Sequence, residues 1–567
     1  MKKNYFYLVV AVLAVALSVS CNGLKKMNEN IEKLGAKCEP NPLEVHGDKV
    51  AISITGKFPA KYFDKKVYAE GTPVLVGAGG SETKMKMAAY QGEKAAGNGK
   101  VVPYKTESSF TYTDEVDYKP EMAESKLYLR LHGKKGSKEA DLDPVFVADG
   151  VITTPYLIKT DAKCIQNTED KFVRTVNKSM EAQVNFDYNS SNLKPAELKE
   201  ADIAELGKFL DSCSRNPKLV VKSIEFISYA SPEGELLLND ELANERAEAG
   251  KKVLTDMVKK MKLTNVNETM FSMSPKGEDW DGFRDAMEKS NIDDRNIIIN
   301  VLQMTKDLQA REQEIKNISK TYTQIQKDIF PSLRRCRIVV NYSEEGYSDA
   351  ELLQLAATNP SVLKYEELMK AGLLNEDLAK DASIYAAAAA MPDADYRASN
   401  NLGCTQYMQS KIGDAEASWK KAYGMKKCAE TSNNMGVATW TKGDRTGAAT
   451  YYGEAGSGKE TSYNKGLLDI QSGSYGSAIT NMGSYKTFNS ALAKLLNKDY
   501  TGAKSDMDAS GDTSAMADYL RAIIAARSGE PSSVGSNLKS AVQKDSALGS
   551  KAKKDLEFRN FQDQMTF

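Results

Sequence analysis

The densest group of side chains that could do chemistry lies in the segment Gly277–Phe283. There, Glu278, Asp279 and Asp281 surround Trp280, a set compatible with a carbohydrate or cation site. Acidic residues are also common where a helix begins, because they offset the positive end of the helix dipole. The paired carboxylates of a glycosidase stand ~5–9.5 Å apart across a cleft, whereas these three acids share one turn. We therefore expect a helix start here, with the tryptophan packed on the core.

Histidine and cysteine are too scarce and scattered for metal or nucleophile chemistry. With only His46 and His132 in the chain, we expect neither histidine-based catalysis nor a histidine-rich metal site. The sequence has no Cys-x-x-Cys pair, P-loop, His-Glu-x-x-His, nucleophile elbow or Rossmann fingerprint. Among the cysteines after Cys21, Cys404 and Cys428 are nearest in sequence and fit either a disulfide or two small buried residues. The sequence therefore predicts no enzyme, metal site or cofactor.

The balance of acidic and basic residues limits the kinds of molecule that the chain is expected to bind. The chain has 567 residues, of which 76 are basic and 77 acidic, and its formal net charge is −1. Nucleic-acid binding therefore has no support from composition. The chain is 41% hydrophobic and 27% charged, which excludes a polytopic membrane protein and leaves room for three or four domains of ~150 residues. Binding, anchoring and scaffolding remain as function classes.

Residues 1–20 are typical of an export signal. A basic start precedes the apolar run Phe6–Ser20, which is shorter than the ~20 residues that a membrane-spanning helix needs. The run ends at Leu17–Cys21, which resembles a bacterial lipobox cleaved before Cys21. This resemblance implies that acyl chains on Cys21 anchor the protein to the outer membrane, with residues 21–37 as a lipidated linker. No acidic cluster follows Cys21, which favours the periplasmic leaflet. The alternative is an ordinary secretory signal with an incidental cysteine.

Residues 38–160 show the period of two that is typical of half-buried strands. Val50, Ile52 and Ile54 alternate with smaller or polar residues, and a second such run surrounds Leu129. Glycine-rich turns separate the runs. We expect an N-terminal all-β sandwich, immunoglobulin-like in shape, that acts as a spacer or docking surface.

Residues 165–345 alternate between strand and helix patterns. The predicted elements, in order, are strand 183–188, helix 196–213, strand 219–229, helix 236–261, strand 270–273 and strand 335–342. A long insertion, 274–330, with a helical pattern separates the last two strands. This order predicts a central α+β domain.

Three short motifs occur in order along this domain. They are Phe186-Asp187-Tyr188 with Leu193-Lys194-Pro195, then Leu242 followed by Arg246-Ala247, and then Arg334-Arg335 before an Ile-Val-Val strand. Together they resemble the C-terminal peptidoglycan-binding domain of the outer-membrane protein A family, an OmpA-like domain. The resemblance covers roughly 170 residues.

The resemblance implies a site for the diaminopimelate residue of the cell-wall stem peptide, which an acid and an arginine grip in that family. Such a zwitterion is complemented by one carboxylate and one guanidinium at a fixed distance. Arg246 and Arg334 match the family's arginines, whereas Ser231 stands where the family has an aspartate. Glu233, two residues later, is the candidate for the missing acid. The alternative is that Arg246 is only an exposed helix arginine in a structural ion pair.

The insertion marks a second departure from the family. The turn Ala230–Gly234, combined with the insertion 274–330, resembles a variant subgroup associated with envelope lipoproteins and with fimbrial or outer-membrane assembly. In that subgroup peptidoglycan binding is not assumed. The set Arg246, Glu233, Ser231 and Arg334 is therefore a candidate site whose ligand the sequence leaves open.

Residues 348–567 contain degenerate internal repeats. Asn-x-small triplets begin at Asn401, Asn434, Asn464 and Asn489, and equivalent small residues recur 25 to 31 residues apart from Gly436 onward. Small residues let two helices pack closely, and Gly-Asp pairs make the turns between them. The pattern resembles the tetratricopeptide (TPR) repeat, whose nominal period is ~34. It implies a C-terminal all-α solenoid with a groove that binds protein partners, and a purely structural solenoid is the alternative.

These parts predict a multidomain lipoprotein of the bacterial outer membrane. We expect a periplasmic anchor and scaffold that links a secretion, assembly or fimbrial complex to the cell wall. The OmpA-like domain would contact the wall and the TPR-like repeats would contact proteins. The alternative is a purely protein-binding envelope module whose OmpA-like domain has lost its affinity for peptidoglycan.

Overall fold

The computed structural model describes residues 22–567, so the predicted signal and Cys21 lie outside the described residues. The described chain forms two compact units. The first combines residues 22–168 with Pro392–Phe567, and the second is Glu169–Met391. The division differs from the sequence-based domains, because helices before residue 392 group with the α+β domain.

The N-terminal part of the first unit is a β region preceded by helix α1 (Asn22–Glu29). Its strands are β1 (Lys37–Glu39), β2 (Leu43–His46), β3 (Lys49–Phe58), β4 (Tyr68–Gly77), β5 (Glu82–Lys84), β6 (Ala88–Gly92), β7 (Lys100–Val102), β8 (Ser108–Asp117), β9 (Ser125–Lys135), β10 (Lys138–Asp141), β11 (Val145–Asp149) and β12 (Val151–Ile152). One sheet has the order β1-β3-β2-β12 with β8 on β3, and the other has the order β10-β9-β4-β6-β7 with β11 on β9 and β5 on β4.

The two sheets share one hydrophobic core. Val50, Ile52 and Ile54 of β3 are buried in it together with Leu127 and Leu131 of β9, a strand of the other sheet. The alternation along these strands therefore separates an inner apolar face from an outer polar one. The immunoglobulin-like form of this arrangement stays a prediction.

The second unit begins with an α+β domain. Its elements are β13 (Thr175–Asn185), α2 (Ala201–Arg215), β14 (Leu219–Ala230), α3 (Leu236–Met261), β15 (Phe271–Glu278), α4 (Trp280–Lys289), α5 (Arg295–Met304), α6 (Leu308–Lys316), α7 (Ser319–Asp328) and β16 (Arg335–Glu345). The sheet order is β13-β16-β14-β15, with β14 and β15 parallel and the other neighbours antiparallel. Helices α8 (Asp349–Thr358), α9 (Tyr365–Leu374) and α10 (Leu378–Ala389) complete the unit.

Two separate cores stabilise this domain. The first lies between the sheet and helices α2 and α3, where Leu206, Leu254, Phe226 and Ile338 are buried together. The second belongs to the insertion α4–α7, where the buried residues include Phe283 and Phe330. The insertion therefore has a hydrophobic core of its own.

The C-terminal part of the first unit is an array of five helix hairpins within residues 392–567. The pairs are α11 (Tyr396–Met408) with α12 (Ile412–Met425), α13 (Ala429–Thr441) with α14 (Arg445–Ala455), α15 (Lys459–Ser472) with α16 (Tyr475–Met482), α17 (Phe488–Leu496) with α18 (Tyr500–Ala509), and α19 (Ala515–Ser528) with α20 (Pro531–Lys544), followed by α21 (Ala547–Lys554). Helix hairpins stacked in this way are the architecture of a TPR-like solenoid.

Glycines allow the close approach within these hairpins. A Cβ atom on Gly403 would lie 2.4 Å from the Trp419 ring, and one on Gly436 would lie 2.3 Å from the Tyr452 ring. Both rings are buried in the array's core. The small residues that mark the repeats therefore provide space for an aromatic side chain of the partner helix.

Candidate functional site

A segment without regular secondary structure, residues 158–168, crosses the first helices of four hairpins in the array. We call this segment the strap. It follows β12 and a short 3₁₀ turn at Thr154–Leu157. The sequence-based boundaries assign 158–160 to the β domain and 165–168 to the α+β domain, and leave 161–164 between them. In the structure they fill a groove of the helical array instead.

Three asparagines pair with the strap in the same two-bonded way. The side-chain oxygen of Asn434 accepts from the Gln166 N–H at 2.8 Å, and its nitrogen donates to the Gln166 carbonyl at 2.8 Å. Asn401 pairs likewise with the main chain of Thr168, and Asn489 with that of Lys159. A primary amide has one acceptor oxygen and a donor nitrogen, so it can hydrogen-bond both the N–H and the carbonyl of one residue. Each of these asparagines therefore binds the main chain of the strap.

Three more asparagines add single bonds to strap carbonyls. Asn433 and Asn464 both donate to the Cys164 carbonyl, at 2.9 and 2.7 Å, and Asn400 donates to the Gln166 carbonyl at 2.9 Å. We call all six side chains the asparagine ladder: Asn400, Asn401, Asn433, Asn434, Asn464 and Asn489. Every member is buried. A buried amide that lost its partner would cost ~1–3 kcal/mol, so the ladder and the strap stabilise each other.

Side chains fix the register of the strap. The Asp161 carboxylate accepts from the Tyr463 hydroxyl at 2.5 Å and from the Asn489 amide at 3.3 Å. Lys159 forms an ion pair with Asp512. Cys164 and Ile165 of the strap are buried in the array's hydrophobic core. The strap is therefore held both by hydrogen bonds to its main chain and by burial of its apolar side chains.

Sequence reasoning identified four of the six ladder residues, and only as markers of the repeat, whereas Asn400 and Asn433 were missed. Asn401, Asn434, Asn464 and Asn489 all lie on the first helix of a hairpin, and each begins an Asn-x-small triplet. Asparagine is unfavourable inside a helix because its amide competes for the backbone. Its recurrence at such positions is the signal from which a role beyond helix packing could have been predicted.

Other contacts join the β region to the array within the first unit. Asp48, in the turn between β2 and β3, forms an ion pair with Arg445 at the start of α14. Glu557 accepts from Arg527 at 2.6 Å and from the Thr154 hydroxyl at 2.5 Å. Glu557 is buried, and its bonds tie the end of the β region to the end of the chain.

The four candidate residues of the α+β domain come together at one end of its sheet. Arg334 donates to the Glu233 carboxylate through Nη2 at 2.6 Å and Nε at 3.1 Å. The Ser231 hydroxyl donates to the same carboxylate oxygen at 2.6 Å. Glu233 is 5% exposed, and the Arg334 side chain is 11% exposed. The acid that the sequence proposed is therefore present, and its partner is Arg334.

Arg246 is not an exposed helix arginine. It is 1% exposed and donates to the main-chain carbonyls of Tyr229, Ser190 and Asp187 at 2.9 to 3.2 Å. Burial, followed by the neighbouring charge of Arg334, lowers the pKa of Arg246 to about 10. Its guanidinium holds the loop after β13 against the end of β14.

The acidic segment around Trp280 forms a helix start. The Asp279 carboxylate accepts from the Gly282 N–H at 2.9 Å at the first turn of α4 and pairs with Arg335 at 2.7 Å. The Trp280 indole donates to Glu278 at 2.8 Å. Burial raises the pKa of both Glu278 and Asp279. These acids are occupied by structural contacts, as the helix-start interpretation predicts.

A disulfide, a metal site and a membrane-spanning helix are the three other features to consider among the described residues. Cys404 and Cys428 are separate free thiols, so the disulfide considered for them is not formed. Among residues 22–567, no three or more His, Cys, Asp and Glu side chains are grouped in a way that could hold a metal ion. Within the same residues, no helix combines the length and apolar character needed to cross a membrane.

Comparison with known proteins gives similarity at the level of solved structures. No family model matches the sequence, and no curated protein matches it. A tetratricopeptide repeat protein from Parabacteroides merdae ATCC 43184 is 12% identical, with 37% of this chain and 91% of that chain covered and a TM-score of 0.29. The APC/C hetero-tetramer Cut9-Hcn1 is 10% identical, with 59% of this chain and 77% of that chain covered and a TM-score of 0.31.

Proposed function

We propose that this chain is a non-catalytic protein scaffold whose helical array holds extended polypeptide by its main chain. The asparagine ladder is the observation that carries the proposal. It places buried amides along four successive hairpins, each hydrogen-bonded to the main chain of the strap. Because these hydrogen bonds go to the main chain, they favour an extended segment and do not depend on its side chains. Because the strap fills the groove from within the same chain, we expect partner proteins to bind other surfaces.

The scaffold is proposed to work in the bacterial envelope. The lipobox-like segment before Cys21 supports a lipid anchor in the outer membrane, with the protein facing the periplasm and contacting a secretion, assembly or fimbrial complex. A Cys21→Ala variant should move from the membrane fraction to the soluble fraction, since it lacks the acylated thiol. Continued sedimentation of the variant with membranes would refute the anchor.

Two roles remain for the α+β domain. A link to peptidoglycan is supported by the meeting of Ser231, Glu233, Arg246 and Arg334 in one cluster. The second role, a domain without affinity for the wall, is supported by the state of that cluster. Glu233 already neutralises Arg334, and main-chain carbonyls already occupy Arg246. We favour the second role, because a wall peptide would have to displace buried partners from both arginines.

Sedimentation with isolated peptidoglycan sacculi tests this choice. The unlipidated chain from residue 22 onward should stay in the supernatant, as should its Arg334→Met variant. If the wild-type chain pelleted with sacculi and the Arg334→Met variant did not, the wall-linking role would replace the one favoured here. An Arg337→Met variant is the matched control, because Arg337 of β16 is close to Arg334 in sequence and forms an ion pair with Glu181 of β13 away from the cluster.

A further inference from the structure

The cluster around Glu233 contains two arginines, Arg246 and Arg334, and Glu245 is a second acid that acts on Arg246. Burial and then the charge of Arg334 lower the pKa of Arg246, whereas the charges of Glu233 and Glu245 raise it. Glu233 is the acid hydrogen-bonded to Arg334. The carbonyls that accept from Arg246 satisfy its N–H groups without neutralising its charge. The Arg334 guanidinium, whose side chain is only 11% exposed, therefore needs an anionic partner, and Glu233 supplies it.

The Glu233 carboxylate occupies the position that such an anion would take. One of its oxygens receives both the Nε and Nη2 donors of Arg334 and the hydroxyl of Ser231. An arginine edge combined with a hydroxyl is an arrangement suited to any carboxylate. Here the carboxylate comes from the tight turn that also contains Ser231, where the Glu233 N–H donates to the Ser231 carbonyl at 2.7 Å.

Helices of the insertion α4–α7 contact the turn that contains Ser231 and Glu233. Glu312 of α6 accepts from the Gly234 N–H at 2.8 Å and pairs with Lys316 at 2.6 Å. Pro232 lines a small space together with Ile315 of α6 and Tyr322 of α7. The helices of the insertion therefore hold the turn, and Glu233 with it, in place.

We propose that Arg334 and Ser231 form a carboxylate-binding site for which Glu233 is a built-in plug, held in place by the insertion. The inference rests on the proposed function, since a plugged site explains a domain without affinity for the wall. It adds the chemical class of ligand, a carboxylate, and the group that excludes it. A ligand would enter only when Glu233 withdraws from Arg334.

Chemical rescue with acetate tests the plug. In the full chain from residue 22, Glu233→Ala should increase hydrogen exchange in α6 and α7, because Arg334 becomes a buried, unpaired charge. Sodium acetate should then slow this exchange several-fold relative to sodium chloride at equal ionic strength. Wild type and the isosteric Glu233→Gln variant should not respond, since their side chains fill the position. An equal acetate response in wild type, or none in Glu233→Ala, would overturn the proposal.

A double variant keeps the test decisive if Glu233→Ala folds poorly. Glu233→Ala/Arg334→Met removes both charges, so it should regain slow exchange without acetate and ignore added acetate. Folding of Glu233→Ala only in acetate would support the plug, and an acetate response in the double variant would refute it. Neither result depends on the ladder or on the sedimentation of the wild-type chain with sacculi, so failure of this inference is distinguishable from failure of the proposed function.

Discussion

At the scale of single residues, the ion pair between Lys159 and Asp512 ties one end of the strap to the array. Burial alone would raise the pKa of Asp512, but hydrogen bonds from Lys159 and from the Ser514 N–H lower it to about 2. The folded pKa thus lies below the unfolded value of about 3.9. The stabilisation of ~2 kcal/mol is therefore complete above about pH 4 and is lost as the pH falls toward about 2.

An Asp512→Asn variant isolates this contribution. The difference in unfolding free energy between wild type and variant should shrink as the pH is lowered from about 5 to about 2, because the other carboxylates titrate in both proteins. Urea denaturation at several pH values measures the difference. A difference that is constant with pH would mean that Asp512 is not paired in solution.

Arg246 carries a second prediction at this scale. Because it is buried and bonded to three main-chain carbonyls, Arg246→Ala should destabilise the α+β domain by ~2–4 kcal/mol. Exchange of β14 and α3 amides should rise accordingly. The control Arg337→Ala, which breaks an exposed pair with Glu181, should cost at most ~1 kcal/mol. Equal effects of the two variants would refute a structural role for Arg246.

At the scale of elements, the hairpins depend on glycines that face an aromatic ring. Gly436→Ala should destabilise the array by ~1–3 kcal/mol, because the new methyl group would meet the Tyr452 ring. Gly453→Ala, within α14 and facing open space, should be neutral or stabilising by up to ~1 kcal/mol. Thermal unfolding of both variants tests the packing. A neutral Gly436→Ala variant would contradict it.

Helices and strands could be predicted from the sequence where the hydrophobic residues followed a single helical or strand period. The helix predicted at 236–261 agrees with the bounds of α3, and the alternation at Val50, Ile52 and Ile54 agrees with β3. The strap had no such pattern, because its conformation is fixed by hydrogen bonds from side chains of hairpins that are distant in sequence. The family resemblance placed Glu233 and Arg334 in one candidate set, but no sequence pattern indicated that these two residues pair, since they are about a hundred residues apart in sequence.

At the scale of the whole molecule, the first unit is discontinuous in sequence. Thr168 pairs with Asn401 of α11, so the point where the chain leaves this unit lies near the point where it returns at Pro392. Sequence boundaries could not show this, because a local pattern carries no information on which distant segments pack together. The order of elements along the chain suggested successive domains instead.

Removal of the second unit tests this architecture. A chain in which a short Gly-Ser linker replaces Glu169–Met391 should fold, because the core of the first unit and the ladder lie outside the deleted segment. Circular dichroism and cooperative thermal unfolding provide the measurement. An unfolded product, or one in which the β region and the array unfold independently, would contradict a single compact unit.

The central claim is that the asparagine ladder holds the strap in the groove, and hydrogen exchange of the strap amides tests it most directly. In wild type, the Gln166 and Thr168 amides should be strongly protected, since each donates to a buried asparagine. Asn434→Ala should reduce protection at Gln166 by about tenfold to a hundredfold, whereas the exposed control Asn497→Ala should leave it unchanged. Fast exchange across the strap of the wild-type protein, or equal protection in both variants, would contradict the account.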